Sequence, residues 1–252
     1  MAGNIDEVIA DLEGIVADCL DRSDRAGYFA AMYLAVTRQI KAAVDGGKFE
    51  DGPRMAALDQ IFAQRYIDAF RTNQAGGAPS RAWTVSFLGA TKRRRIIVQQ
   101  LLAGMNAHIN LDLGIAAATV APGDQLDSLL VDFNTINTVL ASMTKRFTTE
   151  VGRVSPWIGL LNRIGGKAEQ EIIRFSIDVA RHESWKLASQ LAPLPQGQWQ
   201  PVIDRRDRST ADLGHAILSP GVLLSAGLWV IRLRESNNVA EVMTELGRLG
   251  PE

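Results

Sequence analysis

The stretch from Ile96 to Ala121, IIVQQLLAGMNAHINLDLGIAAATVA, constrains this chain more than any other segment. A surface helix is apolar on one face, whereas here the apolar side chains run all the way round. A membrane-crossing helix needs about 20 predominantly apolar residues, and this run is broken in its middle by Asn106, His108, Asn110 and Asp112. A helix buried at the centre of a protein satisfies both facts. It requires other helices to surround it.

The rest of the chain supplies them. Ile5, Val8, Leu12, Ile15 and Cys19 fall at the spacings of one helical face, as do Tyr28 to Ile40 and Met55 to Phe70, the last with Pro53 in its first turn. A short helix is expected around Trp83, and a long one from about Asp124 to Phe147. Ser155-Pro156 opens another over Trp157 to Ile164, and 167–191 reads as long and helical. After a polar piece, Asp204 to Thr210, three more follow: Ala211 to Leu218, one from Ser219-Pro220 through Ile231, and Val239 to Leu246. No segment alternates with a period of two, so the fold is read as all-α, a compact multi-helix bundle around a buried central helix at about 96–121. The Pro193 to Pro201 break divides a main helical domain, 1–192, from C-terminal helices, 193–252, expected to pack on it as one domain overall.

Residues are 46% hydrophobic and 22% charged with a net charge of -1, the balance of an ordinary globular protein, with no bias toward nucleic acid. Cys19 is the only cysteine, which excludes an intramolecular disulfide and a thiolate metal cage and suits a reducing cytoplasm. The first residues lack a basic region followed by an apolar one, so no secretory signal is read there. The apolar run Gly221 to Ile231 is too short for a membrane span. There is no phosphate-binding loop, dinucleotide turn, nucleophile elbow or calcium loop, which lowers nucleotide, flavin and thiol chemistry.

Chemistry concentrates in the central helix. At about 100° per residue, His108 and Asp112 share one face, and Asn106 and Asn110 share roughly the opposite one. A carboxylate one turn from an imidazole suits general acid–base catalysis or metal binding, and equally a buried polar network tying helices together. A metal site would take His108, Asp112 and Asp132. His182-Glu183 could add a ligand, but the second histidine of a zincin motif is missing. Arg181 shares a face with Ile177, Ser184 and Trp185, so its guanidinium needs a carboxylate (Asp178, Asp112 or Asp132) or an anionic substrate group. Trp83, Trp157, Trp185 and Trp229 sit among apolar residues and are read as core.

GMNAHINLDLG, together with FAQRY (Phe62 to Tyr66), RAW (Arg81 to Trp83) and ARHESW (Ala180 to Trp185), resembles the bacterial domain-of-unknown-function 5995 family over roughly Phe29 to Leu191. The resemblance implies a cytoplasmic helical domain and carries no activity. It marks Asn106, His108, Asn110, Asp112, Asp132, Arg181 and Trp185 as positions of the family pattern.

Three functions compete. One is an enzyme acting on a small, partly apolar metabolite, a hydrolase or a lyase/cyclase. It would use His108 as proton-transfer group, Asp112 as its orienter, and Asp132 and Arg181 beside them. Asn106, Asn110, Trp185 and His182 would then bind substrate, and a pocket on the order of a few hundred Å³ should reach His108. Another is a non-catalytic scaffold or ligand-binding module. The third is a metal-dependent hydrolase. A small-molecule ligand is the expected partner, with neither nucleic acid nor a membrane span.

Overall fold

The computed structural model describes residues 4–155 and 177–248. Among them stand eleven α-helices and no strand. The central segment is helical from Ile97 to Val120, yet it is not one regular helix. α5 (Ile97–Ala107) passes into a π-helical turn at His108–Asp112, closed by the Leu113 amide bonding the His108 carbonyl, and then into α6 (Leu113–Val120). Such a turn is one residue wider than an α turn and is found mostly as single insertions, often at functional sites. The segment is buried all round, as its composition requires: Leu101, Ala107, Leu111 and Ala116 to Ala118 are fully buried.

α1 (Ile5–Asp21), α2 (Gly27–Asp45), α3 (Gly52–Gln74) and α4 (Arg81–Thr91) precede it. α7 (Leu126–Val154), α8 (Ile177–Leu191), α9 (Gln200–Leu218), α10 (Val222–Arg232) and α11 (Val239–Gly247) follow. α8 packs along α6, α9 along α4 and α5, and α11 against α2 and α7. Two glycines of the central motif set these distances. A Cβ on Gly104 would stand 2.5 Å from the Phe29 ring, and one on Gly114 would stand 2.5 Å from the Ser184 carbonyl oxygen. The glycines bracketing GMNAHINLDLG therefore admit Phe29 of α2 on one side and α8 on the other.

Helix starts are secured locally by Asn4, Asp51, Ser80 and Asn238, each accepting a backbone N–H three residues on. Three buried carboxylates do the same over long range. Asp132 accepts from the amides of Glu50 (2.7 Å) and Asp51 (2.9 Å) just before α3. Asp207 accepts from Arg81 and Ala82 at the start of α4, both at 2.9 Å. Glu235 accepts from Ile97 at the start of α5, both oxygens at 3.0 Å. Helix N-termini carry unpaired N–H groups and partial positive charge, so an anion there is doubly favourable.

Several expectations change. Asp204 to Thr210 is not a separate piece but the polar front half of α9. Trp83 is buried and Trp185 half-buried, but Trp229 is 58% exposed on α10 and is not core. Trp157 to Ile164 and the first part of 167–191 lie outside the described residues. No helix among the described residues is long and apolar enough to cross a membrane.

Candidate functional site

His108 and Asp112 meet as their spacing predicts. The Nδ1 of His108 lies 3.2 Å from Asp112 Oδ2, and both side chains are buried. Two further donors converge on the carboxylate: Trp83 Nε1 on Oδ2 and Arg65 Nε on Oδ1, each at 2.8 Å. Burial alone would raise the Asp112 pKa, but these three donors and the Arg65 charge bring it below the usual carboxylate value. His108 moves the other way. Burial lowers its pKa, outweighing the Asp112 hydrogen bond and charge, with Arg65 lowering it further. The pair is thus an ionised carboxylate and a neutral imidazole. Since Asp112 can only accept, Nδ1 carries the hydrogen, and the free lone pair is on Nε2. Nε2 is buried with no hydrogen-bond partner among the described residues.

Aromatic rings wall the imidazole. Phe62 lies flat on it, and Tyr33 meets it edge-on at 4.5 Å between centroids. Phe29, Tyr66 and Trp83 complete the surround at 5.8, 6.1 and 5.8 Å. Phe62, Arg65 and Tyr66 all come from FAQRY and Trp83 from RAW, so these separate motifs assemble around the central one.

Phe62 and His108 both line a cavity of about 190 Å³ between α2, α3, α5, α7 and α8. Met32, Met55, Leu58, Met105 and Ile136 are typical of the apolar lining. The polar exceptions are Tyr33, Asp59, His108 and Arg181. Asp59 is buried on α3, its Oδ2 has no partner among the described residues, and desolvation pushes its pKa to about 7. Arg181 is 5% exposed. It donates through Nη2 to the Phe133 carbonyl and lies 4.2 Å from the Phe133 ring centroid. Its Nε has no partner among the described residues, and it pairs with none of Asp112, Asp132 or Asp178. Burial brings its pKa down to about 10, so it stays charged at neutral pH.

Of the sequence candidates, His108 and Arg181 line the cavity, with Asp112 directly behind His108. Asp132 is elsewhere, holding the amides before α3, so His108, Asp112 and Asp132 do not form a ligand set. No group of three histidine, cysteine or acidic side chains able to hold a metal occurs among the described residues. Asn106 and Asn110 form the second pair at 3.0 Å, and Asn106 donates to the Thr210 carbonyl of α9; both lie outside the cavity lining. Trp185 packs on Phe133 and His182 is exposed, neither in the lining. The sequence reading missed Asp59 and Arg65. Asp59 stands between Leu58 and Phe62 on an apolar face, where a carboxylate is out of place, and that was the available signal.

Residues 5–220 match the model of a protein family described as a family of unknown function (DUF5995). The comparisons with curated proteins and with solved structures give no match.

Proposed function

We propose, for a chain that belongs to the DUF5995 family of unknown function, that it is an enzyme moving protons on a small, largely apolar molecule held in this cavity. The observation that carries the reading is the unpartnered Nε2 of a neutral His108 whose other nitrogen is held by an ionised Asp112. An imidazole fixed in one tautomer by a carboxylate is the arrangement of a general base, and the same carboxylate stabilises the imidazolium that forms. Asp59 supplies the complement. Its raised pKa keeps it largely protonated below about 7, so the cavity lining carries a base and an acid whose environments reverse the ordinary order of their proton affinities. One proton passes from substrate, or from water attacking it, to Nε2. Another passes from the Asp59 carboxyl to the oxygen on which negative charge develops, and exchange through product and solvent resets both groups. A hydrolase or a lyase/cyclase fits this chemistry.

A specific observation favours a second reading. His108 is only 2% exposed beneath Phe62 and Tyr33, as suits a ligand-binding module whose polar centre fixes helix register. Incubating the purified protein with a small-molecule extract in deuterated water, and following product masses and deuterium incorporation, separates the two. Turnover by the parent chain that His108→Gln and Asp59→Asn each abolish, while both stay folded, is the expected result. Apolar compounds retained without turnover or exchange would leave the binding module in place of the enzyme.

A further inference from the structure

The cavity contains a charge that the proton chemistry does not use. Arg181 enters its wall from α8, almost wholly buried, and its contacts among the described residues are a carbonyl oxygen and an aromatic face. Neither neutralises a cation. Buried charges in proteins are as a rule paired, because removing an ion from water without a counter-charge is expensive. The acids facing it do not supply one. Asp178, one turn back on α8, is exposed and lies beyond ion-pair distance, its charge only partly offsetting the effect of burial, and among the described residues Asp59 is the one carboxyl in the lining. Among the described residues, then, a buried guanidinium with an idle Nε–H stands beside an apolar cavity without a counter-charge at ion-pair distance. Its planar fork of donors matches a carboxylate two bonds at a time.

We infer that the molecule bound in this cavity is an amphiphilic carboxylate, its anionic end on Arg181 and its hydrocarbon part along Met32, Met55, Leu58 and Met105 toward His108. The inference rests on the proposed use of the cavity and names the class of compound it takes. Asp59 does not oppose it: no ion pair joins it to Arg181 among the described residues, and burial alone, with no charge from Arg181, accounts for its raised pKa. A cation or a neutral sugar would meet the wrong surface: one buried positive charge and few hydrogen-bonding groups.

The test uses the full chain with octanoate, 1-octanol and octylamine, which share a tail and differ in the head group. Binding is measured at neutral pH by calorimetry, and its place by nuclear Overhauser contacts to the Met55 and Met105 methyl groups. Octanoate is expected to bind about tenfold or more tighter than octanol, with octylamine weakest. Arg181→Gln should erase the octanoate preference while leaving octanol affinity within about twofold. Equal affinity of the parent chain for octanoate and octanol overturns the anchor, as does an Arg181→Gln variant that loses both alike. If that variant fails to fold, the preference of the parent chain decides. Absence of all three probes from the cavity overturns the cavity reading itself. Octanoate held through Arg181 without turnover of any compound leaves the anchor standing and removes the enzyme.

Discussion

The Phe62 ring lies parallel to the His108 imidazole, 3.5 Å between centroids and 6° between planes. This stacking puts hydrocarbon where water would otherwise solvate a charged ring, and Tyr33 closes a second direction. The neutral state of His108 is therefore maintained by its neighbours despite an adjacent carboxylate. Phe62 is only half-buried and lines the same cavity as His108, so it covers one face of the imidazole while both residues border the space a ligand would occupy.

Removing that cover should return His108 toward its ordinary titration. Phe62→Ala is expected to raise the His108 pKa and to destabilise the protein by about 2–3 kcal/mol, the lower part of the range for large-to-small core changes, because the ring is not fully enclosed. Proton–nitrogen correlation spectra across the pH range read the first effect and urea unfolding the second. An unchanged His108 titration in a folded variant would show that Phe62 does not control it.

The Trp83 indole has a separable role. Trp83→Phe keeps most of the ring packing and deletes one hydrogen bond to Asp112, so a loss of about 1–3 kcal/mol is expected at neutral pH. The Asp112 pKa is depressed in the folded state, so the stability its charge contributes is present above the unfolded value and lost as pH falls through the folded one. The deficit of Trp83→Phe should therefore shrink on acidification. A deficit that stays constant with pH would assign the indole to packing alone.

Much of this site was legible in the residues. The all-round apolar character of Ile96 to Ala121 demanded burial, and the four-residue spacing of its polar groups placed His108 with Asp112 and Asn106 with Asn110. The π turn was not legible, because a single wider turn leaves no periodic trace. The place of Asp132 is not legible either, because a carboxylate among apolar residues reads alike whether it faces a cavity or the amides of a distant helix start. Arg65 and Trp83 meet Asp112 only through contacts between helices far apart in the chain, which local spacing does not encode.

Close approach of α8 to α6 carries Arg181 to the cavity, and it depends on Gly114. Gly114→Ala puts a methyl group against the Ser184 carbonyl and Leu187, and backbone does not yield cheaply, so a loss of about 1–3 kcal/mol is expected. Gly14→Ala in α1, where nothing lies within 4 Å, should instead stabilise by up to about 1 kcal/mol through helix propensity. Thermal unfolding of the two variants beside the parent chain checks both signs. A neutral Gly114→Ala would mean that α8 shifts freely, and that the position of Arg181 does not depend on this contact.

Asp59 should leave its mark on the pH dependence of stability. Its pKa is about 7 in the folded chain against 3.8 for an exposed aspartate. A raised folded value means that stability is full below the unfolded pKa and is lost as pH climbs toward 7, because the unfolded chain ionises there and the folded one resists. Asp59→Asn removes this slope, so the variant should gain on the parent chain between about pH 4 and 7 and stay ahead above it, by on the order of a few kcal/mol. His108 contributes the opposite trend in both proteins, since its lowered pKa makes stability fall as pH drops below 6.5. It therefore cancels from the comparison. Urea unfolding of the pair over this range reads the difference directly. Parallel curves would mean that Asp59 is already ionised within the fold at low pH, and a carboxylate in that state has no proton to give to a substrate beside His108.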